Sequence, residues 1–463
     1  MSAMRVTTAD GETIRGLPPG PALPAFVQSL NWVYRPIPWM RSLAARYGDY
    51  ATVRAPGHAP VVFVTDPEAI QQVFAASADE LHAGEGNAIL LPLVGQNSLL
   101  LLDGNRHRRE RKLLMPPFHG ERMQAYADVM RQVTDQVAAS WRQRRKVTLL
   151  SEFQQITLDI ILRAVFGLNE GAAMDDFRNL MRQTLQSVIR PAALLLVRGD
   201  GTMRAERLLR ALGPLTPWNR FQSLKAKVDA RLHSEIRARR QQPTGGVDIL
   251  SLLLSARDEK GELMGDDELR DEMMTLVVAG HETTAVSLAW AVYLLHANPD
   301  ALARARAELG KVVGPRAVTA RDVPQLEYLD ACIKESMRLQ PVLPLVARVV
   351  RGGPYRLGPY ELPEGTAITP CIYLTHRRPD LWSEPARFRP ERFLDAKPPP
   401  HHFFPFGGGL RRCIGMAFAQ FEMKIVLAQL LRREMKLPDG YQGRMRRRGI
   451  TFAIEDGLPV TFA

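Results

Sequence analysis

Cysteine is scarce in this chain, with only Cys332, Cys371 and Cys413 among 463 residues. An odd number without a CxxC pair excludes a disulfide framework and a cysteine-rich zinc site, and leaves room for one thiol with a chemical task. The chain also lacks an apolar run of ~20 residues, the length a membrane-crossing helix needs, and residues 1–24 lack the apolar stretch of a secretion signal. These absences predict a cytoplasmic protein without a membrane anchor. No low-complexity linker or internal repeat divides the sequence, so residues 25–463 are expected to form one domain behind a flexible segment 1–24. Aromatic residues do not alternate with the basic clusters at 106–112 and 444–448, as they would in a binder of single-stranded nucleic acid. An acidic protein partner fits the net charge of +12 better than nucleic acid does, and merely solvated basic faces fit it equally well.

Apolar residues make up 46% of the chain, enough for a large core. Residues 50–66 are rich in β-branched side chains and broken by Pro and Gly, which predicts short strands. Apolar residues then recur at three- and four-residue spacing through 123–141, 149–166 and 224–238, each an amphipathic helix. Residues 267–298 predict a long, mostly buried helix that opens on acidic residues and ends at Asn298-Pro299. It does not read as membrane-crossing, because His281, Glu282, Thr283 and Thr284 interrupt its apolar run. Helices at 301–309 and 324–339 follow, then a Pro-rich irregular stretch from 341 to 406, a last helix at 413–433 and strands near the C-terminus. The fold class is mainly α with small β-sheets (α+β).

The most informative stretch is Phe406-Gly-Gly-Gly-Leu-Arg-Arg-Cys413-Ile-Gly415, a glycine-rich turn that delivers one cysteine to the start of an apolar helix. A helix N-terminus and neighbouring arginines both favour a thiolate, and glycines let backbone N–H groups approach the sulfur. Such a sulfur can ligate iron, where a thiolate pushes electron density toward dioxygen and favours O–O cleavage. A lone cysteine on a helix is more often a buried structural residue, so the motif has to be weighed with the others. Upstream, Glu282 beside Thr283 places a carboxylate next to a hydroxyl, a pair suited to proton relay, although a Thr-Thr step in a helix is commonly just back-bonded. His281-Glu282 begins an HExxH zinc pattern, but position 285 is alanine. Glu335 and Arg338 share a helix face at i, i+3 spacing.

The spacing Phe406, Gly409, Arg411, Cys413, Gly415 resembles the haem-binding loop of the cytochrome P450 family. Ala279-Gly-His-Glu-Thr-Thr284 resembles its oxygen-activation motif, and Glu335-Ser-Met-Arg338 with Pro390-Glu-Arg-Phe393 its two structural signatures, all in the family's order. The resemblance implies a single-domain P450 fold with haem b between the long central helix and the cysteine-loop helix. It implies Cys413 as axial iron ligand, with Phe406, Gly407, Arg411, Gly415 and Ala279 against the haem. Thr283 is expected to hydrogen-bond the bound oxygen, Glu282 to feed protons from solvent, and Gly280 to let the helix widen for O2. His107 with Arg111, Arg348 and Arg411 match the cations that hold the propionates, although many members carry tryptophan at the position of His107. Glu335, Arg338 and Arg392 are expected to form a buried scaffold behind the loop.

By the same resemblance Ser98, Leu99, Ala279, Leu343, Leu345 and Ile450 line a mostly apolar distal pocket, and Met181, Ile189 and Leu194–Val197 form either an adaptable lid or ordinary helix core. Such a pocket implies a lipophilic substrate, a fatty acid, terpenoid or steroid. The implied reaction inserts one oxygen atom of O2 into a C–H bond. No flavin or NAD fingerprint is present, so electrons are expected from a ferredoxin or flavodoxin with its reductase, docking on the basic face near Cys413 of a monomer. A peroxide-driven peroxygenase and a haem or lipid sensor are the alternatives; the Glu282-Thr283 pair disfavours both.

Overall fold

A computed structural model describes residues 14–118, 122–144, 146–167, 171–188, 200–202, 213, 216–242, 246 and 248–462. In chain order its principal elements are α1 (Ala25–Tyr34), α2 (Pro36–Tyr47), β1 (Tyr50–Val53), β2 (Val61–Val64), α3 (Pro67–Ala75), β3 (Leu81–His82), α4 (Gly104–Leu114), α5 (Arg122–Ala139) and α6 (Leu149–Phe166). They continue with α7 (Ala172–Val188), α8 (Pro217–Gln241), α9 (Asp266–Ala297), α10 (Pro299–Val312), α11 (Glu327–Leu339), β4 (Arg348–Val350), β5 (Ala367–Pro370), α12 (Met416–Leu430), β6 (Met445–Arg448) and β7 (Thr451–Ile454). Helix dominates, with small sheets at the margins.

Helix α9 is the axis of the molecule. Asp266, Asp267 and Glu268 in its first turn complement the helix dipole, and the Glu268 carboxylate accepts from the Gly265 N–H at 2.8 Å. Along its flanks nearly every side chain is buried, against α6 on one side and α8, α11 and α12 on others. The α6 contact is close at Gly280, where a Cβ would lie 3.2 Å from Ile161. Buried side chains of α5, α6, α9, α11 and α12 form one continuous core. No helix among the described residues is long and apolar enough to cross a membrane.

A five-stranded mixed sheet stands beside this helical body in the order β1-β2-β5-β4-β3. Its register joins distant parts of the chain, with Val61 opposite Ala367 in parallel and Arg348 opposite Ile368 antiparallel. Four short strands, β4, Tyr355–Leu357, Tyr360–Leu362 and β5, therefore lie within 341–406, which sequence pattern marks as irregular. Runs of three or four residues show no period of their own; Tyr355–Leu357 and Tyr360–Leu362 are strands because they pair with each other, and β5 because β2, far back in the chain, completes its hydrogen bonds. The chain is already tied to this sheet at Pro18 and Pro19, whose carbonyls accept from the Thr52 hydroxyl at 2.7 Å and the Thr52 N–H at 3.0 Å. Pro18 and Pro19 are thus not part of a free tail, and residues 1–13 of the segment expected to be flexible lie outside the described residues.

Candidate active site

The turn carrying Cys413 is a compact loop. Gly407 N–H donates to the Phe404 carbonyl at 2.9 Å, Arg412 to Gly409 at 3.1 Å, and Cys413 to Phe406 at 2.9 Å. Gly409 takes φ +63°, and a Cβ there would sit 2.1 Å from the Phe74 carbonyl oxygen, so only glycine lets α3 back the loop. Cys413 does not start the helix as expected: α12 begins at Met416, and the intervening turn lets the Gly415 N–H reach the sulfur. Burial pushes the Cys413 thiol up, and the Gly415 N–H, Arg111 and Arg412 only oppose it, so the simple sequence argument for a free thiolate is reversed by desolvation. A bound metal would favour the thiolate here. Cys413 nevertheless keeps accessible surface.

Three arginines converge beside this loop, next to His107. Arg111 donates to the Arg412 carbonyl at 2.7 Å, Arg348 to the Ala347 carbonyl at 2.8 Å and weakly to Gly408, and Arg411 to the Leu99 carbonyl at 3.3 Å and to Asp103. Burial, then Arg411, Arg111 and Arg348, push the neighbouring His107 down to about 3. Burial and Arg411 push Arg348 down to about 10. Within this group Asp103 is the one carboxylate that forms an ion pair. A buried Arg348 with no ion pair among the described residues, beside Arg111, Arg411 and an accessible thiol, suits a carboxylate-bearing metal macrocycle such as haem, and the residues present fit that group.

On α9 the burial pattern breaks at one place. Ala279 is exposed, and Gly280, Glu282 and Thr283 are half-buried, between turns that are otherwise closed. The Thr283 hydroxyl donates to the Ala279 carbonyl at 2.5 Å. Residues 266–297 remain α-helical throughout, so the widening expected at Gly280 is not present: that glycine serves the contact with Ile161. Glu282 accepts from Gln154 of α6 at 2.6 Å and from Arg448 of β6 at 3.2 Å. His281 is buried against Thr157, and burial followed by Arg448 pushes it down to about 4.

The loop 97–102 links the two halves of the site. The Asp271 and Glu272 carboxylates of α9 accept from the Asn97 and Leu99 N–H groups at 2.9 and 2.6 Å, while Arg411 holds the loop from the cysteine side. Ser98, expected in the pocket wall, is fully buried with its hydroxyl taking a bond from Thr275 at 2.6 Å, so it fastens the loop to α9 instead. Leu99 is also nearly closed off, whereas Leu343 and Leu345 are half-buried and Ile450 is exposed at the tip of the β6–β7 hairpin. Met181 is packed into the main core; Ile189 and Leu194–Val197 lie outside the described residues. The basic run 444–448 is only in part a solvated face: Arg444 and Arg446 are exposed. Strand alternation sends Arg447 inward against the Trp32 and Phe452 rings and brings Arg448 to Glu282.

Behind the loop, Glu335 and Arg338 are both wholly inaccessible and paired twice, at 2.7 and 2.8 Å. Glu335 also accepts from Arg392 at 3.1 Å and from the Arg389 N–H at 2.9 Å. Arg338 donates to the His376 carbonyl at 2.7 Å, and the His376 ring accepts from the Phe404 N–H at 3.0 Å, one step from the turn that ends in Cys413. Sequence reading did not single out His376, Gln154, Arg448 or Asp103. Their partners are distant in sequence, and no local motif marks them. His82, Glu85 and Asp103 cluster, but Asp103 is taken by the Gly84 and Glu85 N–H groups and Arg411, and Glu85 by Arg351.

A cysteine loop with an accessible thiol, a cationic cradle and an opened long helix define a haem-thiolate protein, and the family comparison agrees. The family model for cytochrome P450 matches residues 18–449, and the chain belongs to that family of haem-dependent monooxygenases that use O2. It is 36% identical over 425 residues to a Mycobacterium tuberculosis protein named cytochrome P450 135B1, covering 91% of this chain and 86% of the relative. It is 34% identical to cytochrome P450 138 of the same organism, covering 98% and 97%. Among solved structures, retinoic acid-bound cyanobacterial CYP120A1 superposes with TM-score 0.83 at 26% identity, covering 97% of this chain and 99% of the other. The haem domain of cytochrome P450DA, at TM-score 0.81 and 24% identity, shares the fold.

Proposed function

We propose that this P450 hydroxylates a lipophilic small molecule, a fatty acid, terpenoid or steroid, with electrons from a separate acidic carrier. The observation that carries the reading is the accessible Cys413 set beside Arg111, Arg348 and Arg411. When bound, haem supplies the iron centre at which O2 is reduced and one oxygen atom is delivered to a C–H bond. The chain's own residues then divide the work. Cys413 ligates the iron, and His107, Arg111, Arg348 and Arg411 hold the two propionates. Thr283 presents a hydroxyl at the opened turn of α9, and Glu282 moves protons to it, its carboxylate oriented by Gln154 and Arg448. Ala279, Leu343, Leu345 and Ile450 offer apolar surface and no cation to the substrate; the retinoic acid held by CYP120A1 supports a lipophilic ligand.

Arg412 in the cysteine loop and Arg108 on the adjacent helix are exposed, which supports docking of a ferredoxin or flavodoxin there. Residues 25–463 act as one catalytic unit in the cytoplasm, as a monomer with no bound flavin or NAD. The reduced carbon monoxide difference spectrum of wild type and Cys413→His tests the core of the proposal. Wild type is expected to show the red-shifted Soret band for which the family is named, and the variant to lose it. A wild type without that band overturns it. Turnover with an acidic carrier that ignores ionic strength removes the docking surface alone.

A further inference from the structure

Eight large apolar side chains stand exposed among the described residues, and four of them, Leu23, Phe26, Leu30 and Tyr34, fall within a dozen positions. Phe26, Leu30 and Tyr34 follow one another at four-residue spacing on α1, with Phe26 and Tyr34 each 59% exposed, so they form a single outward stripe. The helix does not need that stripe for its own packing. Its inner side is anchored by Val33, by Gln28, which donates to the Pro21 and Leu23 carbonyls at 3.2 and 2.8 Å, and by Trp32, edge-on to Phe63.

The same stretch is one-sided in charge. Residues 14–65 contain Arg15, Arg35, Arg41, Arg46 and Arg54 against one acid, Asp49, and that acid is engaged by Arg378. Arg35, Arg41, Arg46 and Arg54 are exposed, and none pairs with a carboxylate among the described residues. A second copy of the chain on this face would set arginine against arginine. An acidic protein would satisfy the guanidinium groups but leave the stripe without apolar partners. An anionic bilayer surface answers both features, with apolar side chains entering the boundary of the acyl chains, guanidinium groups meeting phosphates, and the Tyr34 ring at headgroup depth.

We propose that α1, with Arg35 at its junction with α2 and the arginines of α2 and the β1–β2 turn, is a peripheral docking surface for anionic lipid. The surface also has a place in the enzyme's traffic. Trp32 on the inner side of α1 stacks under the Arg447 guanidinium, 4.2 Å from the ring centroid, and Arg447 lies on the strand whose next residue holds Glu282. Docking therefore holds the enzyme, through the helix that backs the hairpin bearing Ile450, at a surface where a lipophilic compound dissolved in the membrane is concentrated.

The test is flotation of the full-length holoprotein with vesicles of phosphatidylcholine alone and of phosphatidylcholine with phosphatidylglycerol, at low and high salt, alongside sedimentation velocity. Wild type is expected to float with the anionic vesicles only and to be released by salt. Phe26→Ser/Leu30→Ser/Tyr34→Ser abolishes flotation while leaving the thermal midpoint and haem spectrum unchanged, since these side chains point outward. Arg35→Gln and Arg46→Gln each weaken vesicle partitioning about fivefold. No flotation of wild type, or flotation that the triple serine variant retains, overturns the proposal. So does a concentration-dependent dimer that the triple variant dissolves, which would assign the stripe to a second copy.

Discussion

Replacing Glu335 by alanine isolates the largest single structural debt in the site. The change removes acceptors for two bonds from Arg338, one from Arg392 and one from the Arg389 N–H, and it strands the Arg338 charge in an interior where neither partner has any exposed surface. Breaking a buried pair by deleting one member costs about 3–5 kcal/mol. Carbonyls of His376, Pro385 and Arg387 still face Arg338 and keep the loss within that range. Against a stability of about 5–15 kcal/mol, this is a large share. The damage is directed, because Arg338 reaches the cysteine loop through His376 and Phe404. Glu335→Ala is thus expected to lower the denaturant midpoint by circular dichroism and to fail to retain haem. Glu335→Leu/Arg338→Met, which removes both charges, should recover part of the stability. A single variant within about 1 kcal/mol of wild type and with full haem content would refute the reasoning.

Thr283→Ala removes one helix-surface hydroxyl bond, so stability should change by no more than about 1 kcal/mol, while electron consumption separates from product formation; tight coupling in the variant would exclude Thr283 from proton delivery. Arg448→Gln frees Glu282 from its cation and is expected to change the pH profile of turnover more than substrate affinity; an unaltered profile would make the pair purely structural. Arg348→Gln removes a buried cation that has no carboxylate partner in an ion pair, so haem should dissociate faster in a haem-transfer assay, with Arg348→Lys giving partial rescue. His281 is held neutral with its value near 4, whereas the unfolded chain protonates at about 6.5, so the unfolded state binds more protons between those values. Stability from this group is complete above about 6.5 and falls on acidification, by about 2 kcal/mol at pH 5; His281→Asn should flatten that slope in urea titrations at pH 7 and 5.

The long helices were legible because they carry their own evidence. Residues 149–166 and 266–297 have apolar periodicity and clear ends, and their boundaries fall within a residue or so of expectation. The cysteine loop was legible for a different reason: glycines, arginines and one thiol in fixed spacing have few other uses. What local pattern misled was orientation and dose. Ser98 reads as a loop residue near the pocket but is consumed by Thr275, and Arg444–Arg448 reads as one basic run but alternates inward and outward in β6.

By itself, then, the sequence determined the kind of chemistry and the helical frame, because thiol, carboxylate, hydroxyl and apolar period are properties of residues at short separation. Tertiary structure alone decided the rest. It paired β2 with β5 across some 300 residues, brought Gln154 and Arg448 to Glu282, and gathered His107, Arg111, Arg348 and Arg411 around one loop. Burial also reversed the expected ease of ionising Cys413. Desolvation and long-range pairing depend on what the rest of the chain places nearby, and no local spacing of residues contains that information.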